Sequence, residues 1–220
     1  MPAGSDGDDV TLGFDDVDGA GIGLAEIPVA VRAPGSVCSV SSEPTGVAMD
    51  IYEILHTDHV NILNALTKLH ATRPGAARKE LLTTVIDDLT AHSLAEEEVL
   101  YDRLLDRARE LTLEAKEEHF LITRLLEELA TMRLEDERFT AKVKVLTDVF
   151  QHHVQEEEEE VWAAAKAAFD PIIAQNFAGE FVALKDKLSK RPILMRFGEA
   201  RLKKVVDDVG HVFQPAGDLK

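Results

Sequence analysis

The chain has 220 residues, one cysteine, eight histidines and 41 acidic against 24 basic residues, a formal net charge of −17. A single cysteine, Cys38, excludes an internal disulfide framework and a thiolate metal cluster, and no apolar run approaches the roughly 18 residues that cross a bilayer. The acidity opposes phosphate backbones and anionic lipid surfaces. With no basic-then-apolar leader at its start, the chain is expected to be cytoplasmic, with neither nucleic acid nor membrane as partner.

Residues 1–48 hold eight of the 13 glycines and four of the eight prolines, with a net charge of −7. No apolar period runs through them, and such a composition buries too little surface to offset its ordering entropy, so this segment is predicted to be a mostly disordered extension. The Gly19, Gly21, Gly23 cluster lacks the GxGxxG spacing and no Lys-Ser/Thr follows, so it is not a phosphate loop.

Residues 49–170 carry seven of the eight histidines and four helical patterns. The first opens at Asp50-Ile-Tyr-Glu53, a capping box, and repeats Ile51, Leu55, Ile62, Leu66 and Leu69 before Arg73-Pro74-Gly75 stops it. The second runs from about Ala76 to Arg107 on Leu82, Val85, Leu89, Val99 and Leu100. The third covers roughly Leu113–Met132 on Ala115, Ile122, Leu126 and Leu129. The fourth spans about Glu137–Phe169 on Val143, Leu146, Phe150, Val161 and Ala164, and Asp170-Pro171 should end it. Short connections make neighbours antiparallel, so the expected fold is all-α, an up-down-up-down four-helix bundle. Residues 171–220 have a net positive charge and weaker patterning, with two amphipathic stretches at Phe177–Leu188 and Glu199–Val209. They are read as a short, partly helical extension packed on the bundle end.

The bundle contains an internal repeat. A shift of 60 residues lays Asp58-His59 of the first helix over Glu118-His119 of the third, and a shift of 61 lays His92-x-x-x-Glu96 of the second over His153-x-x-x-Glu157 of the fourth. Residues i and i+4 share a helical face, so His92 and Glu96 fall within the stripe Leu89–Val99, and His153 and Glu157 within Phe150–Val161. His59 lies between Leu55 and Ile62, His119 between Ala115 and Ile122. Every helix therefore directs a histidine at the bundle axis and two add a carboxylate. Buried carboxylates without partners are costly, and a cation between the helices satisfies them all. Imidazole with carboxylate suits iron, zinc, copper or nickel.

Ile54-Leu55-x-x-Asp58-His59, His92-x-x-x-Glu96-Glu97, Glu118-His119 and His152-His153-Val154-x-x-Glu157-Glu158 together resemble the hemerythrin-like HHE cation-binding domain over residues 50–170. The resemblance implies two iron ions in an oxo- or hydroxo-bridged di-iron centre, with His59, His92, Glu96, His119, His153 and Glu157 as ligands and the glutamates bridging. A ferritin-like site would instead need Glu-x-x-His pairs and a glutamate on every helix. Where oxygen-carrying hemerythrins place a second histidine one turn after that of the third helix, this chain has Thr123. Four histidines and two bridging carboxylates fill about eight of about twelve positions around two six-coordinate irons, and a bridge fills two more. His56, at the edge of the inward face, is a further candidate ligand. Asp58, Glu97, Glu118, Glu158 and Tyr101 are candidates for orienting the imidazoles.

Three functions follow as expectations. The first is an oxygen-, iron- or redox-responsive module binding O2, peroxide or nitric oxide, with a protein partner engaged through the tails. The second is a redox enzyme that removes peroxide or oxidises ferrous iron at the open positions, and the third a zinc-stabilised structural bundle. The chain has no GxSxG or HExxH of a hydrolase.

Overall fold

The computed structural model describes the backbone of residues 49–212 and side chains through residue 205; the expectation for residues 1–48 lies outside them. The helices are α1 (Ile51–Ala71), α2 (Ala76–Leu104), α3 (Arg109–Thr131), α4 (Phe139–Ala168), α5 (Pro171–Ser189) and α6 (Ile193–Val212). The first four form the expected antiparallel bundle, and no described helix is long and apolar enough to cross a membrane.

Local chemistry sets the boundaries. Glu53 N–H donates to Asp50 Oδ1 at 3.0 Å and Asp50 N–H to Glu53 Oε2 at 3.1 Å, the reciprocal box that starts α1. Gly75, between α1 and α2, adopts φ 147°, a conformation that side chains with a Cβ rarely take. Asp170 ends α4 and caps α5, accepting from the N–H groups of Ile172 and Ile173, with Pro171 in the first turn.

Two apolar clusters fill the interior, and a polar layer separates them. Leu55, Val99, Ala115 and Val161 belong to one cluster; Ile62, Leu89, Ile122 and Phe150 belong to the other. Each pair brackets the histidine of its helix, so the four histidines stand at one level. Phe150, buried completely, sets its ring within 6.3 Å of His59, His92 and His153.

The structure adds two features to the sequence reading. The C-terminal segment lies along the side of the bundle rather than across its end. Its α5 covers α1 and α2, and α6 crosses α2 and α3. This is why α2 is buried nearly all round from Leu89 to Glu97: Ala91, Leu94 and Ala95 join Phe177 and Phe181 of α5 in one apolar cluster. In addition, α2 and α4 each contain one π-helical turn, Glu97–Tyr101 and Glu157–Val161, within one residue of equivalent points of the repeat. Such single turns are uncommon and cluster at functional sites.

Candidate metal centre

The polar layer is built as a ring. His92 Nδ1 donates to Asp58 Oδ2 at 2.9 Å, His119 Nδ1 to Glu97 Oε1 at 3.2 Å, His153 Nδ1 to Glu118 Oε2 at 2.8 Å and His59 Nδ1 to Glu158 Oε1 at 3.0 Å. Each carboxylate thus holds the imidazole of the next helix, α1 to α2, α2 to α3, α3 to α4 and α4 back to α1. With Nδ1 donating outward, Nε2 is left to face the axis, the arrangement a metal-ligating histidine needs.

At the axis, Glu96 Oε2 is 3.3 Å from His92 Nε2 and 3.6 Å from His119 Nε2. Glu157 Oε2 is 3.3 Å from His59 Nε2 and 3.8 Å from His153 Nε2. Each glutamate therefore spans two histidines. Two triads with mutually close donor atoms result, His59–His92–Glu96 and Glu96–His119–His153, sharing Glu96.

The π turns complete the walls. Five residues after Glu96, the turn keeps Tyr101 at the centre, where its ring stacks on His119 at 5.3 Å and 24°. Five residues after Glu157, Trp162 stacks on His59 at 6.1 Å and 17°. A regular helix would swing both rings about 140° away from those glutamates.

Several buried atoms here lack a hydrogen-bond partner: His59 Nε2, His92 Nε2, both carboxylate oxygens of Glu96 and of Glu157, and the Tyr101 hydroxyl. Orphaned buried carboxylates cost several kcal/mol each, and here they converge on one point with imidazole lone pairs. Nitrogen and oxygen donors in this proportion fit a first-row transition metal, so the residues present fit a cation.

The sequence candidates divide accordingly. His59, His92, Glu96, His119, His153 and Glu157 meet at the axis, and Asp58, Glu97, Glu118 and Glu158 lie behind the four imidazoles. Tyr101 contacts His119 through its ring face rather than by a hydrogen bond. His56 does not join the inner group: its Nδ1 bonds Glu158 at 3.0 Å and its side chain is 58% exposed. Residue spacing could not reveal Lys185 of α5, which pairs with Asp58 behind His92, or Lys203 of α6, 3.7 Å from Glu97 behind His119.

Burial alone would raise the Asp58 carboxyl, but the His92 hydrogen bond and Lys185 hold it at about 2. A Lys185→Met substitution, which keeps the stem and removes the charge, is expected to speed loss of bound metal to a chelator about tenfold, the lower end of what outer partners of ligands contribute. Lys185→Arg should restore retention; an unchanged release rate for Lys185→Met would show that the lysine does not support the centre.

In the metal-free centre the protons are unevenly held. Burial would lower His59, but the Glu157 carboxylate 3.3 Å from its Nε2 and the hydrogen bond to Glu158 outweigh it and push it up to about 8. Burial and the neighbouring Glu157 charge push Glu96 well up. Burial opposes ionisation of Glu157 too, yet His59 and His153 hold it down. Burial, with His153 and His92 nearby, pushes His119 well down. Near pH 7, His59 therefore carries a proton that a cation must displace. Filling the centre at pH 7 is expected to release the His59 proton, about one per chain, falling as pH passes 8, as titration calorimetry in buffers of different ionisation enthalpy would measure. The His59 proton is held more tightly in the folded chain than in the unfolded one. For His59 that stabilisation is complete below its ordinary 6.5 and lost as pH rises through about 8. Through His59, the metal-free fold should therefore weaken between those values.

A four-helix bundle with an inward histidine on every helix and two shared, buried glutamates defines a helical cation-binding protein. The sequence profile of the hemerythrin HHE cation-binding domain matches residues 50–165, more than half of the chain, and the chain belongs to this family. A hemerythrin HHE cation-binding domain-containing protein of Mycobacterium kansasii has the same fold, with a TM-score of 0.59 and 20% identity over 64% of this chain and 88% of that one. A DNA nickase of Nostoc sp. is 31% identical over 144 residues, 65% of this chain but 41% of the nickase. The chain thus spans less than half of that relative's length.

Proposed function

We propose that the centre would hold two iron ions through His59, His92, Glu96, His119, His153 and Glu157, and that the protein is an oxygen- or redox-responsive module taking up O2, peroxide or nitric oxide. The observation that carries this reading is the donor set itself: four imidazoles and Glu96 in two overlapping triads, with Glu157 facing His59 and His153 across them and the buried Thr123 one turn after His119 supplying no further imidazole. Two irons so held would keep positions open for a small exogenous ligand and would supply one-electron redox chemistry.

The protein's own residues do the rest. Asp58, Glu97, Glu118 and Glu158 fix the imidazole orientations, and the apolar clusters on either side exclude bulk water. Lys185 and Lys203 connect two of those carboxylates to α5 and α6, so a change at the centre is mechanically linked to the C-terminal helices. Nicking of DNA, the activity in the name of the Nostoc relative, is not carried onto this chain, whose net charge of −17 repels a phosphate backbone.

Metal analysis with an optical spectrum of the natively purified protein tests the reading. About two irons per chain with near-ultraviolet charge-transfer absorption are expected of a two-metal centre. Colourless protein with stoichiometric zinc would overturn it in favour of a structural bundle. Turnover of peroxide or ferrous iron by the iron-loaded protein would make it an enzyme rather than a sensor.

A further inference from the structure

A second group of ligand-type side chains stands outside the centre. His152 Nε2 is 3.3 Å from Glu156 Oε1 and 3.9 Å from Glu118 Oε1, and the His152 side chain is 63% exposed. These three residues could together hold a cation. Glu118 and Glu156 also line a cleft of about 80 Å³ between α3 and α4, together with Glu114 and Glu160. The cleft reaches His153 and Glu157 of the centre. Glu157 is buried, and neither of its oxygens has a hydrogen-bond partner. An exposed ligand group at the lip, carboxylates along the walls and an unpartnered buried carboxylate within form one continuous line.

We propose that this cleft is the path by which a divalent cation reaches the centre, and that His152, Glu156 and Glu118 hold the cation at its mouth; the inference rests on the two-cation reading of the centre. A hydrated divalent ion cannot cross the apolar clusters on either side of the polar layer, because shedding its water without replacement is prohibitive. Along the cleft each lost water is replaced by a carboxylate oxygen or an imidazole nitrogen. The negative mouth also concentrates cations, an effect that raises association rates by about 10- to 1,000-fold in charged clefts. Two other cavities among the described residues lack this design. The one beside His119 is about 20 Å³ and is lined by Lys116 and Lys204 as well as Glu97, and the one around Met132 and Arg138 includes no residue of the centre.

Stopped-flow mixing of metal-free protein with Co(II), followed by the visible absorption of the bound ion, tests the path. In a His152→Ala/Glu156→Gln/Glu160→Gln variant, final cobalt content and spectrum should equal those of the wild type, while the loading rate falls about tenfold or more and loses part of its salt dependence. A Glu135→Gln/Glu137→Gln variant, with as many carboxylates removed at the other end of the bundle, should load at nearly the wild-type rate. Leu111→Trp, which narrows the cleft without altering its charge, should slow loading as well. Cleft variants that load as fast as the distant control overturn the path and leave the centre standing. Wild-type protein that takes up no cobalt overturns the centre and the path with it.

Discussion

Replacing His92 or Glu157 by alanine is expected to strip the protein of its metal, whereas His70→Ala should keep the full complement. His92 is fully buried, held by Asp58 on one nitrogen and turned toward Glu96 at 3.3 Å on the other. Removing it leaves one triad with two donors. Glu157 faces His59 and His153 together, so its loss takes an oxygen from both sides of the centre at once. The affinity should fall by more than about 100-fold, the upper limit of what outer partners contribute. His70 is exposed and lies about 16 Å further along α1 than His59 at 1.5 Å per residue. Metal content after native purification, with circular dichroism as a check on folding, decides the matter. Equal losses in all three variants would dissolve the ligand assignment.

Much of the centre was legible because helical geometry converts spacing into direction. His-x-x-x-Glu on two helices and an acid–histidine pair on the other two put six donors on inward stripes, and the apolar residues before and after each histidine fixed their common level. Asp50 and Glu53 announced the start of α1 for the same local reason. What the period could not express is a change of period. Tyr101 and Trp162 reach the centre through π turns, and the only trace is an apolar pair, Leu100-Tyr101 and Val161-Trp162, standing where a regular stripe would carry a single residue. Nor can spacing assign partners between helices. The acids next to the ligands were identifiable as candidates for orienting imidazoles, but their order around the ring needs the antiparallel packing. Lys185 is 127 positions from Asp58 and meets it because α5 folds back along α1 and α2. His56 shows the converse: an edge position on the face is ambiguous by about one residue, and Glu158 resolves it outward.

The second large effect concerns stability, and its sign separates a metal centre from a structural polar layer. In the metal-free fold, Glu96 and Glu157 are buried side by side with no hydrogen-bond partner on any of their four oxygens. Replacing buried ionic groups with apolar residues of similar volume is often neutral or stabilising, by up to about 4 kcal/mol. A Glu96→Leu/Glu157→Leu variant is therefore expected to melt several degrees above metal-free wild type, since about 1 kcal/mol moves the midpoint about 2–4 °C at this size. The wild type should respond strongly to metal. A cation present at about 1,000 times its dissociation constant adds about 4 kcal/mol, so chelation should lower the melting temperature by about 10 °C. The double variant should show no such response. Scanning calorimetry of both proteins, with and without chelator, measures all four values. If the metal-free variant were instead less stable than metal-free wild type, the glutamates would be supporting the fold through the histidines. If it is more stable, the polar layer weakens the empty bundle, and two carboxylates that weaken an empty bundle are retained for the ion they bind.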